Sequence, residues 1–404
     1  MKNILSNLIY KIRSNKKIQN LLYYFLVGSV SLYTFSLPSF SGRGGWNYLS
    51  YLFIALLITL CILYTFFYSK FKFNFLTLCI PLFVLVASIG TIIFSKRFEN
   101  LLTIFLLTLT MYAYYYAFLA INNKRLVLKT IVYALLGFAA YFFYVYSGTI
   151  LRLRVSSRIG DYFDNLNLIG CYFSLGFLIS FFLTVNFLKK RELFYIIPAG
   201  IFGVFGLFTG SRTFLILVIV SFLSVLFIRF RKKPLVCFLI LGGTIGIFFL
   251  LINLPIFSFL KNQFAKTLTS LFGIGNAKTD PSSIHRYLWQ KYGYFLASRN
   301  LLLGYGCEGF AVISGVGTYT HSNFAEVLCN FGLIGFSLFY APFILCTFLV
   351  SKGKKEETLI VIAILVYSFF RGFFAVSYYF KDSYLIFGLI FYLTSDRSFR
   401  KVNA

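Results

Sequence analysis

Long apolar blocks, parted by short polar connections, run through almost the whole chain. A helix needs roughly 20 mainly apolar residues to cross about 30 Å of hydrocarbon. That ruler predicts about twelve spans, at 21–38, 48–68, 75–94, 101–120, 126–147, 166–188, 193–209, 213–229, 234–254, 322–350, 358–378 and 383–395. The seventh and the last are short. The pattern predicts an all-α polytopic membrane protein forming a single integral domain over 1–404.

The polar connections set an orientation. "SKFKFN", "INNKR", "KKRE", "RFRKK", "SKGKKEE" and the tail "DRSFRK" are basic, and they alternate with connections of the other side. With the N-terminus in the cytoplasm, each of these clusters falls on the cytoplasmic side, as the positive-inside rule demands. Both termini are then cytoplasmic. The N-terminal "MKNILSNLIYKIRSNKKIQN" is basic, but the apolar stretch after it has no small-x-small cleavage signal, so it reads as a retained first helix. Two outer connections are long: 147–165, and a large loop over about 255–320. Within the second, "TDPSSIHRYLWQKYGYFLAS" predicts a helix, with Asp280 as cap, Pro281 in the first position, and Ile284, Leu288, Phe295 and Leu296 on one apolar face. Such a helix would lie on the membrane surface or pack over the mouth of the bundle.

Composition agrees with the pattern. Hydrophobic residues make up 59% of the 404 positions and charged residues 12%, and the mean hydropathy is +0.83. No soluble domain of this size tolerates such a surface. The formal charge of +27 sits in clusters between apolar runs rather than in basic stripes interleaved with aromatics, which argues against nucleic acid as a partner. Six of the seven cysteines fall in or beside apolar spans, Cys307 in a polar stretch, and no disulfide framework or CxxC metal site is indicated.

A few residues do not belong in lipid. Arg212 interrupts two apolar runs at a break marked by Gly210 and Ser211. An arginine that snorkels to headgroups accounts for it, and so does an anion-binding group at the outer end of the bundle. Arg371 lies inside its span, with Asp382 as a structural partner or a ligand anion as a functional one. Arg158 and Arg286 are on outer loops, where a solvated arginine is unremarked. His321 stands at the entrance to the tenth span, where the positive end of a helix dipole keeps an imidazole neutral and able to accept a proton. It is either a structural histidine or a general base. His285, beside Arg286, is the weaker candidate. Asp161 and Asp164 are spaced for a metal pair but sit near Arg158 with no further acid, so a solvated loop is expected, and no metal site is assigned.

"RNLLLGYGCEGFAVISG" followed by "THSNFAEVLCNFGLIGF" resembles the C-terminal signature of the O-antigen ligase and polymerase superfamily. In that signature a glycine-rich stretch precedes a His-Asn-x-x-x-Glu-like segment ending in Gly-Leu-x-Gly. "TGSRTFLIL" resembles the family's Ser-Arg pair, "SSIHRYLWQ" its loop-helix arginine, and "RIGDYFDNLNLIG" its first outer-loop motif. The resemblance covers roughly 150–350 in order, with "HSN" where "HN" is usual.

The resemblance implies a GT-C-like membrane glycosyltransferase of the bacterial cytoplasmic membrane, with its site facing outward. It would act without metal or other cofactor and with inversion at the anomeric carbon. Its donor would be a glycan on undecaprenyl diphosphate, and its other partners membrane lipids, a flippase and a chain-length regulator of the same pathway. Arg212 and Arg286 would grip the diphosphate, Arg158 and Arg371 would assist, His321 would take the acceptor proton, and Glu326 and Asn323 would orient the site or bind sugar. A repeat-unit polymerase for O-antigen, capsule or exopolysaccharide is the expected enzyme. The alternatives are a ligase acting on lipid A core or another acceptor, and a lipid-linked oligosaccharide flippase.

Overall fold

The computed structural model describes residues 10–38, 46–68, 75–151, 166–187, 193–230, 281–350 and 355–398, with scattered positions between 232 and 253. All regular structure among them is helical. In chain order the elements are α1 (Lys16–Phe35), α2 (Trp46–Tyr68), α3 (Phe75–Gly90), α4 (Phe98–Ile121), α5 (Lys124–Leu151), α6 (Leu166–Phe187) and α7 (Ile196–Phe208). They continue with α8 (Arg212–Phe230), α9 (Pro281–Arg299), the short α10 (Gly309–Ser314), α11 (Asn323–Val350), α12 (Lys355–Phe374) and α13 (Lys381–Ser398).

Eleven of the twelve expected spans coincide with these helices. Of the ninth, 234–254, only scattered positions are among the described residues, most of them helical. Among the described residues seven helices are long and apolar enough to cross a membrane, and the helices at 193–208 and 358–374 are shorter but apolar. α1 and α13 fall outside that group because polar residues occupy their ends: Lys16, Lys17, Gln19 and Asn20 in one, Lys381, Asp382, Asp396 and Arg397 in the other.

Local chemistry sets the boundaries. Asn15 caps α1 by accepting from the backbone N–H of Lys17 and Ile18 at 3.0 and 3.3 Å. α4 ends where Asn122 turns left-handed, and the next residue, Asn123, accepts from Leu126 N at 3.0 Å to start α5. Helix α6 is the inner post of one half, packed against α5, α7 and α8. In the other half α13 packs on α4, α11 on α3, and α12 on α8. α9 lies along α11, so the expected outer helix packs onto the bundle.

Three expectations are corrected here. The face of α9 that turns inward is not the predicted row: Ile284, Leu288 and Phe295 are exposed, and of the four only Leu296 is buried, together with Ala297 and Gly293. Small residues decide this. Gly293 has no Cβ to hold off Thr320, so the helix comes closest along 293, 296 and 297. The segment 322–350 is also not one continuous helix, because Gly332 has φ 61° and ψ −168°. Cys307, read as part of a polar stretch, is fully buried.

The break in α11 is filled by the preceding loop. Tyr305 and Gly306 donate their N–H groups to the carbonyls of Cys329 and Asn330, at 3.1 and 2.6 Å. Leu333 and Ile334 donate to the carbonyls of Leu301 and Leu302, at 2.7 and 3.3 Å. A discontinuous helix in a membrane needs such replacement partners, since nothing in hydrocarbon can supply them. The glycines of the "GYG" and "FGLIG" stretches make the insertion possible. A Cβ at Gly332 would strike the backbone of Leu302 and Leu303, and one at Gly306 (φ 82°) would strike Gly90 and Thr91 at the end of α3.

Candidate functional site

His321 sits just before α11, in the loop that leads into it. Its φ of 62° is left-handed, which a residue with a Cβ rarely adopts. The surrounding contacts hold it there. Glu326, buried in the first turn of α11, reaches back to accept from Thr320 N at 2.7 Å and from Asn330 Nδ2 at 3.0 Å. Thr320 Oγ1 donates to Ser322 O at 2.9 Å, and Ser322 Oγ donates to Gly372 O of α12 at 3.3 Å. Residues on both sides of His321 are therefore fastened.

Asn323 is as fully used. Its Oδ1 accepts from Ser377 N and Tyr378 N at 2.7 and 3.1 Å, and its Nδ2 donates to Tyr340 OH at 2.6 Å. Asn330, which the sequence did not single out, accepts from Phe310 N at 2.8 Å and donates to both Glu326 and Tyr378 OH. Glu326, Asn323 and Asn330 thus orient the loop, the break and the α12–α13 turn relative to one another.

The imidazole of His321 lies between two aromatic rings. Trp289 of α9 is nearly parallel to it, with centroids 5.5 Å apart and 15° between planes, and Tyr319 is at 4.3 Å. His285 stacks on the other part of the same assembly, 5.7 Å from Trp289. Among the described residues neither nitrogen of His321 has a hydrogen-bond partner, so stacking alone fixes the plane of the ring. Burial first, and then the positive charge of Arg286, push the His321 imidazole down to about 4. The ring is neutral at pH 7, with desolvation and a neighbouring guanidinium as the causes. The same Arg286 charge acts on Tyr319, whose phenol is raised by burial and lowered by the guanidinium.

The other arginines fall in different settings. Arg212 opens α8, half-buried, directly after Ser211, whose Oγ accepts from Phe214 N at 3.2 Å as the helix cap. Arg371 is buried in α12 and paired with Asp382 of α13, Nη1 to Oδ2 at 2.7 Å and Nη2 to Oδ1 at 3.0 Å, and it donates to Ser383 Oγ at 3.2 Å. The structural partner foreseen for Arg371 is the one the fold supplies. Arg158, Asp161 and Asp164 lie outside the described residues.

The structure therefore brings His321, Arg286, His285 and Glu326 into one region, adds Trp289, Tyr319 and Asn330, and commits Arg371 to an ion pair. Trp289 could have been found from its spacing, three residues after Arg286 and so on a neighbouring part of the helix surface. Tyr319 and Asn330 carried no separate signal.

The fold and this region define a polytopic helical membrane protein with a neutral histidine beside a guanidinium at a helix entrance. Residues 194–340 match the family model described as O-Antigen ligase, which agrees with the resemblance to the O-antigen ligase and polymerase superfamily and supports ligase- or polymerase-type function in general. The match includes the Ser-Arg pair, the α9 arginine and the whole C-terminal signature, while "RIGDYFDNLNLIG" precedes it. No curated protein matches the chain.

Proposed function

We propose that this protein is a metal-independent, inverting repeat-unit polymerase. It transfers a glycan from undecaprenyl diphosphate to a hydroxyl of a second lipid-linked oligosaccharide, at the outer face of the cytoplasmic membrane. The observation that carries the reading is the neutral His321, without a hydrogen-bond partner among the described residues and held in a left-handed conformation beside Arg286. Strain of that kind persists where surrounding contacts over-determine it, and it gathers at reacting sites.

In the proposed step the acceptor hydroxyl oxygen attacks the anomeric carbon and gives its proton to His321. The anomeric C–O bond to the diphosphate breaks with inversion, and the lipid diphosphate leaves. Arg286 and Arg212 stabilise the charge that grows on the leaving group, with Arg158 assisting. Arg371, Glu326 and Asn323 serve as positioning residues in this scheme. Donor binding also improves the base, because the diphosphate offsets the charge of Arg286 and so raises the proton affinity of His321.

A ligase is the second reading, favoured by the printed description of the matching family. It uses the same bond changes with a different acceptor. Purified protein incubated with lipid-linked repeat units alone distinguishes them. A ladder of products supports the polymerase, whereas no product until another acceptor is added supports the ligase. Inactivity with every acceptor overturns both, and loss of activity on chelation overturns the metal-free mechanism.

A further inference from the structure

A cavity of about 240 Å³ lies among α11, α12 and α13, reaching Phe324 in the first turn of α11. Its walls include Phe324, Tyr340, Phe343, Ile344, Phe369 and Ile386. Such walls suit hydrocarbon and offer a sugar few partners. Ile344 and Phe369 are 57% and 54% exposed, so the cavity opens sideways on the flank of apolar helices, where lipid chains run. Its lining also includes Arg371 and Ser368, whose Nε and Oγ have no hydrogen-bond partner among the described residues. The wall is also tied to the loop: Tyr340 OH accepts from Asn323, and Phe324 stacks on Tyr340 with centroids 5.2 Å apart.

From this geometry we propose that the cavity seats a stretch of the polyprenyl chain of the lipid carrier, entering between α11 and α12. The proposal rests on the functional reading above, which supplies a polyprenyl lipid. A cavity of about 150 Å³ accepts a benzene ring, so this one accommodates on the order of two five-carbon units. The aromatic walls fit branched, unsaturated units through ring-face and ring-edge contacts. The remainder of the chain would lie along the exposed rings of Phe369 and Phe373. Filling the cavity would also fix Tyr340 and, through Asn323, the loop carrying His321. Carrier binding and order at the reacting histidine are thereby coupled.

The test uses the full chain in phosphatidylcholine nanodiscs with a polyprenyl diphosphate that carries no glycan and has a photoreactive diazirine in its second isoprene unit. Labelled peptides are mapped by mass spectrometry. Label is expected on 336–344, 365–369 and 386, and Ile386→Trp, which fills the cavity, should reduce it at least tenfold. Phe227→Ala, on the exposed surface of α8, should leave it unchanged. Label elsewhere, label indifferent to Ile386→Trp, or label displaced equally by excess phosphatidylglycerol overturns the proposal, the last outcome assigning the cavity to bulk lipid. Should Ile386→Trp not fold, Phe369→Ala at the mouth should weaken labelling at least threefold, and unchanged labelling overturns it. Labelling needs no transfer, so normal labelling of an inactive protein counts against the glycosyltransferase reading alone.

Discussion

His321 is held by neighbours that, among the described residues, make no hydrogen bond to its nitrogens. Replacing it with alanine should lower transfer by roughly 10² to 10⁴, the usual contribution of a positioned base, at unchanged protein levels; full polymer formation in cells would remove it from the mechanism. Its titration gives a sharper prediction. The folded-state value of about 4 lies below the ordinary 6.5, so between these limits the unfolded chain binds a proton that the folded chain does not. The contribution of this group to stability is thus intact above about 6.5 and is lost as pH falls toward 4. In activity, the acid limb of kcat/KM should lie well below 6.5, and the limb of kcat should lie higher, because bound diphosphate offsets Arg286. Arg286→Ala should raise the kcat/KM limb. Profiles with coincident limbs in wild type and variant would sink the coupling.

The same scale separates what residues could and could not reveal. The histidine, the arginines and the acid of the "THSNFAE" segment were visible because polar groups at a membrane entrance stand out. Their division of labour was not, because it depends on who faces whom. Asn323 satisfies three backbone and side-chain partners. Asn323→Ala should cost about 1–3 kcal/mol, the penalty for stranding buried polar groups, read as a lower unfolding temperature in detergent. Asn323→Asp, which still accepts from Ser377 and Tyr378, should lose less; equal losses would mean that the bond to Tyr340 dominates.

At the scale of elements, apolar run length recovered the helices well, because crossing hydrocarbon imposes one length on all of them. It missed the break in α11, since Gly332 sits within an unbroken apolar sequence and only its backbone angles and the inserted loop reveal the interruption. It also misjudged α9, where apolar residues marked one face and the small residues Gly293 and Ala297 chose another. Gly332→Ala should destabilise the fold by at least about 1–3 kcal/mol from the left-handed backbone alone, with more from the clash against Leu302. A variant with wild-type unfolding behaviour would show that the break is dispensable.

Across the whole molecule, the pairing of Arg371 with Asp382 joins α12 to α13 inside the bundle. Topology could suggest this pair because the two residues flank one short turn, but proximity in sequence did not exclude a ligand for the arginine. Arg371→Ala should cost about 3–5 kcal/mol by leaving Asp382 buried and unpaired, whereas joint replacement by Met and Leu should be close to neutral. If the double variant is stable yet binds lipid diphosphate far more weakly, Arg371 belongs to the clamp.

The loop threaded through α11 bears on how the protein is assembled. The sequence 323–350, entering a bilayer by itself, has no outside partners for the backbone groups around Gly332, and leaving them bare in hydrocarbon costs several kcal/mol each. It would close into an uninterrupted helix, and a 323–350 peptide in bilayers should show continuous amide protection across 329–334; a gap there would contradict this. The broken form can arise only once the 301–306 segment has docked against it and supplied those partners. The entrance that carries His321 thus takes its working shape only after two segments distant in sequence order have come together.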